Sequence, residues 1–225
     1  TEEKYQAMFN NFENAYKNLS TVNTEFYYKI YSVVLLPTGS FALDFSEVES
    51  LFGDEALQGA ERTAVIDGIK ESADGMWESY NYETEVKKMV ALLNLMHTKL
   101  PEAKQPQVIK DILAKTKGAS AEEKFVTWSK NAFAKSVFTS KAKLDAYLAN
   151  PSEKKLTKDP LYNYYISLYT DAQTAGSVFR AANTEISKLQ REYTAALMQK
   201  DPKKNFYPDA NSTLRLTYGT VQDYE

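Results

Sequence analysis

The chain has 225 residues, 27 of them basic and 30 acidic, for a net charge of −3, and it contains one histidine and no cysteine. This composition excludes disulfide bonds, thiolate zinc sites, a cysteine nucleophile and a metal site built on several histidines. The small, mixed charge predicts no broad attraction to nucleic acid or to an anionic membrane, and no apolar run approaches the roughly 20 residues that span a bilayer. With only 8 glycines and 7 prolines, the chain is too poor in turn residues for a sandwich or barrel, and we expect an all-α fold.

Apolar spacing predicts two helices at the start of the chain. They cover residues 2–19 and about 24–36, and the Pro-Thr-Gly-Ser sequence at 37–40 predicts the loop that ends the second helix. The pattern of residues 41–53 begins as alternation and becomes helical, which indicates a loop that leads into a short helix.

The middle of the chain predicts further helices separated by short breaks. Residues 54–78 form a helical pattern that contains Gly59, Gly68 and Gly75, which indicates close helix contacts or a break. The next patterns cover 82–100, 108–113, a helix opened by the capping-box pair Ser120 and Glu123, and 144–148. Residues 152–158 are polar and are expected to be solvated.

The last predicted helix covers residues 160–199, about 60 Å at 1.5 Å per residue. It begins with Asp159 as N-cap and Pro160 at the first helical position. Its apolar residues recur in alternating steps of four and three, a heptad seam at Leu161, Tyr165, Leu168, Ala172, Ala175, Phe179, Ala182, Ile186, Leu189, Tyr193 and Ala196. The favoured interpretation is an antiparallel bundle within one chain, and the alternative is a dimeric coiled coil.

The composition changes after Asp201-Pro202. Residues 206–210 predict a loop, and 213–218 alternate as a strand that has no partner in this chain. We therefore expect an excised piece of a longer protein, divided into a helical domain at 1–204 and a linker with a returning strand at 205–225. The candidate hinge or interdomain residues are Asp201, Phe206, Tyr207, Pro208 and Asp209.

No residue pattern in the chain predicts catalysis. His97 lies near the end of a predicted helix and lacks a Gly-x-Ser-x-Gly elbow that would supply a serine partner. The paired carboxylates at 2–3, 47/49, 83/85 and 122–123 are typical of solvated helix faces. Phosphate loops, dinucleotide fingerprints and calcium loops are absent from the sequence, so no cofactor or metal is predicted.

Tyrosine is abundant, with 16 residues that include clusters at 27–31 and 162–169. Packing at helix contacts and at an interdomain surface is the favoured interpretation. An aromatic groove for a peptide or glycan is the alternative.

The run from Phe206 to Gly219, FYPDANSTLRLTYG, resembles a stretch of the bacterial serine dipeptidyl-peptidases of the dipeptidyl-peptidase 7 and 11 type, serine peptidase family 46. The resemblance implies a chymotrypsin-type double β-barrel with an inserted all-helical domain that covers the active-site cleft and helps to restrict cleavage to N-terminal dipeptides. It also implies a periplasmic or cell-surface location, oligopeptide substrates bound through the missing catalytic domain, and a possible homodimer.

The family's catalytic histidine, aspartate and Gly-Asn-Ser-Gly segments have no counterpart here, and no glycine flanks Ser212. No catalytic residue is therefore carried over to this chain. The leading hypothesis is a non-catalytic helical cap with the strand returning to the missing barrel. The alternatives are a scaffold or binding module that dimerises through the seam at 161–196, and an enzyme that acts through His97.

Overall fold

The computed structural model describes residues 2–206, 216 and 218–223, and within them all regular structure is helical. The α-helices are α1 (Glu2–Val34), α2 (Pro37–Phe45), α3 (Gly59–Ser79), α4 (Tyr82–Lys99), α5 (Gln107–Lys115), α6 (Ala121–Lys135), α7 (Lys141–Ala149), α8 (Glu153–Leu156) and α9 (Pro160–Lys200). Short 3₁₀ helices occupy Ser46–Leu51, Glu102–Lys104 and Val137–Thr139.

The two longest helices, α1 and α9, lie side by side and run in opposite directions. The ring of Phe9 meets Tyr193 at a centroid distance of 6.4 Å, and further along the pair Phe26 stacks on Phe179 at 4.7 Å. Their lengths of 33 and 41 residues correspond to about 50 and 60 Å. The N-terminal end of α1 therefore lies next to the C-terminal end of α9.

Helices α2 to α8 pack around the other end of this pair and form a head with one main core. The core is built from fully buried aromatic and aliphatic side chains, among them Val33, Phe41, Phe45, Met89, Leu93, Phe125, Phe138, Tyr165 and Leu168. A second, much smaller cluster joins α1 to α9 beyond the head and contains Ala15, Ile186 and Leu189. We call this outer part of the pair, residues 5–19 and 182–200, the stalk.

The two helices predicted at 2–19 and 24–36 are one continuous helix. The polar residues between them lack proline and glycine, and the hydroxyls of Ser20 and Thr21 bond back to the carbonyls of Lys17 and Asn18 inside the helix. A polar break in the apolar pattern therefore produces an exposed turn of helix rather than a loop.

The loop predicted at 37–40 is wrong, because Pro37 starts α2 rather than ending α1. Proline suits the first helical position, where no N–H is needed. Gly39 allows this sharp corner, since a Cβ there would lie 2.1 Å from the carbonyl oxygen of Val33 and 3.0 Å from the ring of Tyr165.

Two other expectations also change. Gly68 and Gly75 sit in an unbroken α3, and a Cβ on either would have no heavy atom of another element within 4 Å, so they mark neither a close contact nor a break. Residues 152–158 are not simply a solvated segment, because α8 forms there and buries Leu156.

Helices with clear local signals begin and end close to their predicted positions. The Ser120 hydroxyl accepts from the N–H of Glu123 at the start of α6, and Asp159 caps α9 by accepting from the N–H groups of Leu161 and Tyr162, both at 3.0 Å. These contacts involve residues two or three positions apart, which explains why the sequence reveals them.

The predicted seam positions of α9 differ in burial along the helix. Most positions from Leu161 to Leu189 are buried, whereas Phe179 is half-buried and Tyr193 is 39% exposed. Ile186 and Leu189 pack against Ala15 of α1. The same chain therefore covers the seam of α9 at Ile186 and Leu189, whereas the seam beyond them is partly exposed.

Candidate functional site

The open end of the stalk exposes apolar side chains. Phe9 is 52% exposed and Met198 46% exposed, and Tyr193 lies edge-on against Phe9. Two shallow hollows of about 420 and 410 Å³ lie here between α1 and α9, lined in part by Tyr5 and Ala196. Exposed apolar surface of this kind is typical of a contact site.

An ionic contact fastens the middle of α1 to the head. The Glu25 carboxylate lies 2.8 Å from the Lys29 ammonium and 3.2 Å from that of Lys104, in the 3₁₀ helix after α4. Lys104 also donates to the carbonyl oxygen of Thr21. Because Lys29 and Glu25 are largely shielded from solvent, this contact is screened less by salt than an exposed ion pair.

Aromatic rings pack where the stalk enters the head. Phe26 and Tyr27 of α1 both contact Phe179 of α9, and Tyr27 stacks on Tyr31. A Cβ on Gly176 would lie 2.9 Å from the ring of Phe26, so the glycine lets this ring approach α9. Tyrosines at 27–31 thus pack at a helix contact, as the favoured interpretation predicted, although Tyr31 remains 44% exposed.

A buried polar network joins three helices at the centre of the head. Glu85 of α4 is 1% exposed, and its Oε2 accepts from the Thr38 hydroxyl at 2.6 Å and from the Thr38 N–H at 3.1 Å. The Thr38 hydroxyl also lies 2.8 Å from the Tyr165 hydroxyl. Glu85 therefore does not lie on a solvated face, and the expectation for this member of the 83/85 pair is wrong.

Burial sets the acidity of this network. It raises the pKa of Glu85 above its usual value, against the opposing effect of the Thr38 hydrogen bonds and of Lys88. Burial also raises the pKa of Tyr165 well above its usual value, and burial together with the nearby Glu85 charge raises the pKa of Tyr80 to about 12. Both phenols are neutral near pH 7 and serve in hydrogen bonding.

Other tyrosines of α9 face the same interior. Tyr162 donates to Glu49 at 2.5 Å, and burial, followed by this hydrogen bond, raises the pKa of Tyr162. Burial also raises the pKa of the fully enclosed Tyr164, whose hydroxyl has no hydrogen-bond partner among the described residues. Tyr162, Tyr164 and Tyr165 are buried core residues, so this cluster does not form an open aromatic groove.

His97 lies in the last turn of α4 and contacts the segment that follows the helix. Its Nδ1 lies 3.3 Å from Oε1 of Gln105, and the Gln105 amide donates to the carbonyl oxygens of His97 and Leu100. The imidazole lies edge-on to Phe125 at 5.9 Å. Within the described residues no serine or carboxylate hydrogen-bonds to His97, so the geometry of a catalytic triad is not present there.

Apart from Glu49, which accepts from Tyr162, the other paired carboxylates whose side chains are described lie at a helix cap or on the surface. Glu123 accepts from the Ala119 N–H at the start of α6, while Glu47, Glu83 and Glu122 are exposed. No group of three potential metal ligands occurs among the described residues. In that same part of the chain, none of the helices combines the length and apolar character that crossing a membrane requires.

The structure describes only two of the predicted hinge residues. Asp201 ends α9, where its N–H donates to the Leu197 carbonyl, and Phe206 lies 5.4 Å from the Lys204 ammonium. Tyr207, Pro208 and Asp209 lie outside the described residues, as does most of the strand predicted at 213–218. The hinge and the division at 204/205 stay predictions.

Sequence reasoning missed the buried network and the contact between Glu25 and Lys104. Glu85 is one turn from the start of α4 among other charged residues, and nothing local separates it from the exposed Glu83. The available signal was its position four and eight residues before the buried Met89 and Leu93, which places Glu85 on the inner face of the helix.

Comparison with known proteins shows what the chain is similar to. The model of the family described as Peptidase S46 matches residues 1–225. Among curated proteins, the chain is 33% identical over 175 residues to an Asp/Glu-specific dipeptidyl-peptidase of Porphyromonas gingivalis, covering 76% of this chain and 24% of that protein. It is 28% identical over 182 residues to a dipeptidyl-peptidase 7 of Porphyromonas endodontalis, covering 80% of this chain and 22% of the relative.

Solved structures show the same fold. The crystal structure of Porphyromonas endodontalis DPP11 in complex with the dipeptide Arg-Glu matches with a TM-score of 0.71 and 22% identity, covering 93% of this chain and 29% of that one. The same relative in an alternate conformation matches with a TM-score of 0.58. The chain thus spans about a quarter of the length of these curated relatives.

Proposed function

Because this chain belongs to the peptidase S46 family, we propose that it is the helical cap of a serine exopeptidase that removes dipeptides from peptide N-termini. The cap itself carries no catalytic residue and restricts access to an active-site cleft in the rest of the polypeptide. The relatives named as dipeptidyl-peptidases are about four times as long as the region they share with this chain, which supports a role as one domain among others.

The observation that carries the proposal is the antiparallel pairing of α1 and α9. Phe9 and Tyr193 meet at the open end of the stalk, whereas Phe26 and Phe179 meet at the head. These two contacts are 14 to 17 residues apart along the helices, about 20 to 25 Å. A domain inserted into another must leave and return at neighbouring points, and this geometry supplies them while it holds the head at a distance.

The proposed role of the head is steric. A head fastened to two paired helices moves as a stiff unit, so it can limit which peptides reach the nucleophile and exclude water when it closes. The contact between Glu25 and Lys104, which links α1 to the 3₁₀ helix after α4, supports this stiffness. Bending would then occur beyond α9, where we place the hinge at Asp201, Phe206, Tyr207, Pro208 and Asp209.

The partners and location follow from the same proposal. Oligopeptides would bind through the catalytic domain, and the enzyme would work in the periplasm or at the cell surface, with a homodimer as its possible assembly. The exposed apolar residues Phe9 and Met198 provide a face that suits the adjoining domain. Sedimentation of the longer protein tests whether it is a homodimer. Accessibility of the protein to added protease in intact cells tests its location.

The role of the cap can be tested in the longer protein that contains this chain. Leu189→Asp places a charge in the small cluster that pairs the stalk helices, and Lys188→Asp, at an exposed neighbour, is the matched control. Each protein is incubated with an unblocked decapeptide and with its N-acetylated form, and the products are identified by mass spectrometry.

We expect the parent and Lys188→Asp to release successive dipeptides from the unblocked peptide and to leave the acetylated one intact. Leu189→Asp is expected to cleave the acetylated peptide or to release longer fragments, because the head no longer restricts access to the cleft. An unchanged product pattern in Leu189→Asp, with a stalk that hydrogen exchange reports as open, contradicts the cap. No dipeptide release by the parent contradicts the exopeptidase.

A further inference from the structure

A groove crosses the head where α5 ends against α6 and the start of α9. Its first hollow, of about 400 Å³, is lined by Lys115, Lys117, Trp128, Asn131, Lys135 and Pro160. We call this first hollow the lysine groove. A second hollow of about 390 Å³ shares Trp128 and Pro160 and continues along α9 to Ser167. Volumes of this size are at the lower end of those that bind small ligands.

The lysine groove has a charge opposite to that of the chain. Three lysines and no carboxylate line its first hollow, and Asp111 lines the second beside Lys115, although the chain as a whole has a net charge of −3. Lys115 is 2.8 Å from Asp111, whereas Lys117 and Lys135 form no ion pair among the described residues. Within the part of the chain that the structure describes, these two exposed ammonium groups are therefore available to an anion.

The floor of the groove is aromatic. Trp128 is half-buried and lies 5.2 Å from the ring of Tyr164, which is itself enclosed and lines the second hollow. The Tyr164 hydroxyl is buried with no hydrogen-bond partner in the described part of the chain. This enclosed hydroxyl is not accessible from the groove, and Tyr164 contributes its ring to the packing beneath Trp128.

We propose that the lysine groove binds acidic segments of the peptide substrate. Ammonium groups at Lys117 and Lys135 would pair with carboxylates, Trp128 would contact the aliphatic part of the peptide, and the Asn131 amide would bond to its backbone. This inference rests on the proposed function, since it assigns the groove to the substrate of the same enzyme. It places an acidic-peptide site on the head.

A peptide suits the groove better than a nucleic acid. Only three lysines and no arginine line the first hollow, which is few for an extended phosphate backbone, whose affinity depends on many Lys and Arg contacts. A short segment with two or three carboxylates needs only the local charge. Side chains two residues apart in an extended peptide share one face, which lets alternate carboxylates meet the lysines together.

The experiment measures binding of a fluorescently labelled, N-acetylated octapeptide of alternating glutamate and serine by anisotropy, in the longer protein that contains this chain. The acetyl group prevents use of the peptide as a substrate with a free N-terminus. The matched ligand has glutamine in place of glutamate. The test variant is Lys117→Glu/Lys135→Glu, and the control is Lys17→Glu/Lys99→Glu, which makes the same charge change at two exposed lysines outside the groove.

We expect the glutamate peptide to bind and the glutamine peptide to bind about tenfold more weakly or not at all. The groove variant is expected to lose about five- to tenfold in affinity for the glutamate peptide, whereas the control retains the parent's affinity. Addition of salt to about 500 mM should weaken binding to the parent.

Equal binding of the two peptides, or equal losses in the groove variant and the control, overturns the proposal. Tighter binding of an eight-nucleotide single-stranded DNA that depends on the same lysines also overturns it, in favour of a phosphate site. Dipeptide release from unblocked peptides is measured separately in the same preparations. A protein that releases dipeptides but shows no lysine-dependent binding refutes the groove alone, and one that binds the peptide without releasing dipeptides refutes the proposed activity.

Discussion

The Thr38 hydroxyl lies 2.6 Å from Oε2 of Glu85, and this hydrogen bond joins the first turn of α2 to the first turn of α4 inside the core. The carboxylate has no basic side chain within ion-pair distance in the described residues. Burial stabilises the neutral form of this carboxyl and raises its pKa, although the Thr38 hydrogen bonds favour the charged form, so the stability of the head depends on pH.

Glu85→Gln should remove part of this pH dependence. Because burial raises the pKa of Glu85 in the folded protein, its contribution to stability is fully present below the ordinary value and is lost as the pH rises through the folded value. The glutamine oxygen can still accept from Thr38. Urea unfolding at pH 4, 6 and 8 should show Glu85→Gln gaining stability relative to the parent as the pH rises, and Glu83→Gln on the exposed face showing no such trend.

Gly39→Ala should destabilise the corner between α1 and α2. The added Cβ would lie 2.1 Å from the carbonyl oxygen of Val33, and relief of such a clash costs about 1–3 kcal/mol or more. Gly68→Ala, in the open middle of α3, should instead stabilise by about 0.5–1 kcal/mol. Chemical denaturation of both variants checks this, and a stable Gly39→Ala protein would mean that the corner is not tightly packed.

The substitution Asp159→Ala should lower the free energy of unfolding by more than the loss of an ordinary N-cap does. One oxygen of Asp159 accepts from Leu161 and Tyr162, and the other accepts from the N–H of Val137 at 2.8 Å. The loss combines a cap of about 0.5–2 kcal/mol with a buried unpaired donor of about 1–3 kcal/mol. Ser140→Ala, which removes a single exposed cap, should cost about 1 kcal/mol by thermal or urea unfolding. Equal losses would show that the contact with Val137 contributes nothing.

Leu189→Ala should loosen the stalk without unfolding the head. Leu189 is 1% exposed, but its cluster is separate from the main core and much smaller. Hydrogen exchange should therefore accelerate in residues 182–200 while α4 and α6 stay protected. Leu168→Ala in the main core should instead accelerate exchange throughout, at a cost of about 2–5 kcal/mol. Uniform acceleration in Leu189→Ala would mean that stalk and head unfold as one unit.

Local signals in the sequence predict several elements well. Asp159 and Pro160 mark the start of α9, and Ser120 with Glu123 marks the start of α6, because the atoms involved belong to residues within one turn of helix. The family resemblance of the run after Phe206 agrees with the match of the Peptidase S46 model over the whole chain. These features depend on side chains that are neighbours along the chain.

The features that organise the head depend on residues far apart in sequence. A proline can end one helix or begin another. Pro37 begins α2 because Gly39, which has no Cβ, lets the chain turn closely against Val33 and the ring of Tyr165. Glu83 and Glu85 are the same residue type in the same helix, yet only Glu85 accepts hydrogen bonds from the hydroxyl and N–H of Thr38. The charges, caps and apolar periods of the chain establish that it is helical and where most helices begin. Which polar group is buried, and which lysines are left together in a groove, follows only from packing, because burial is a property of the neighbours that the fold brings together.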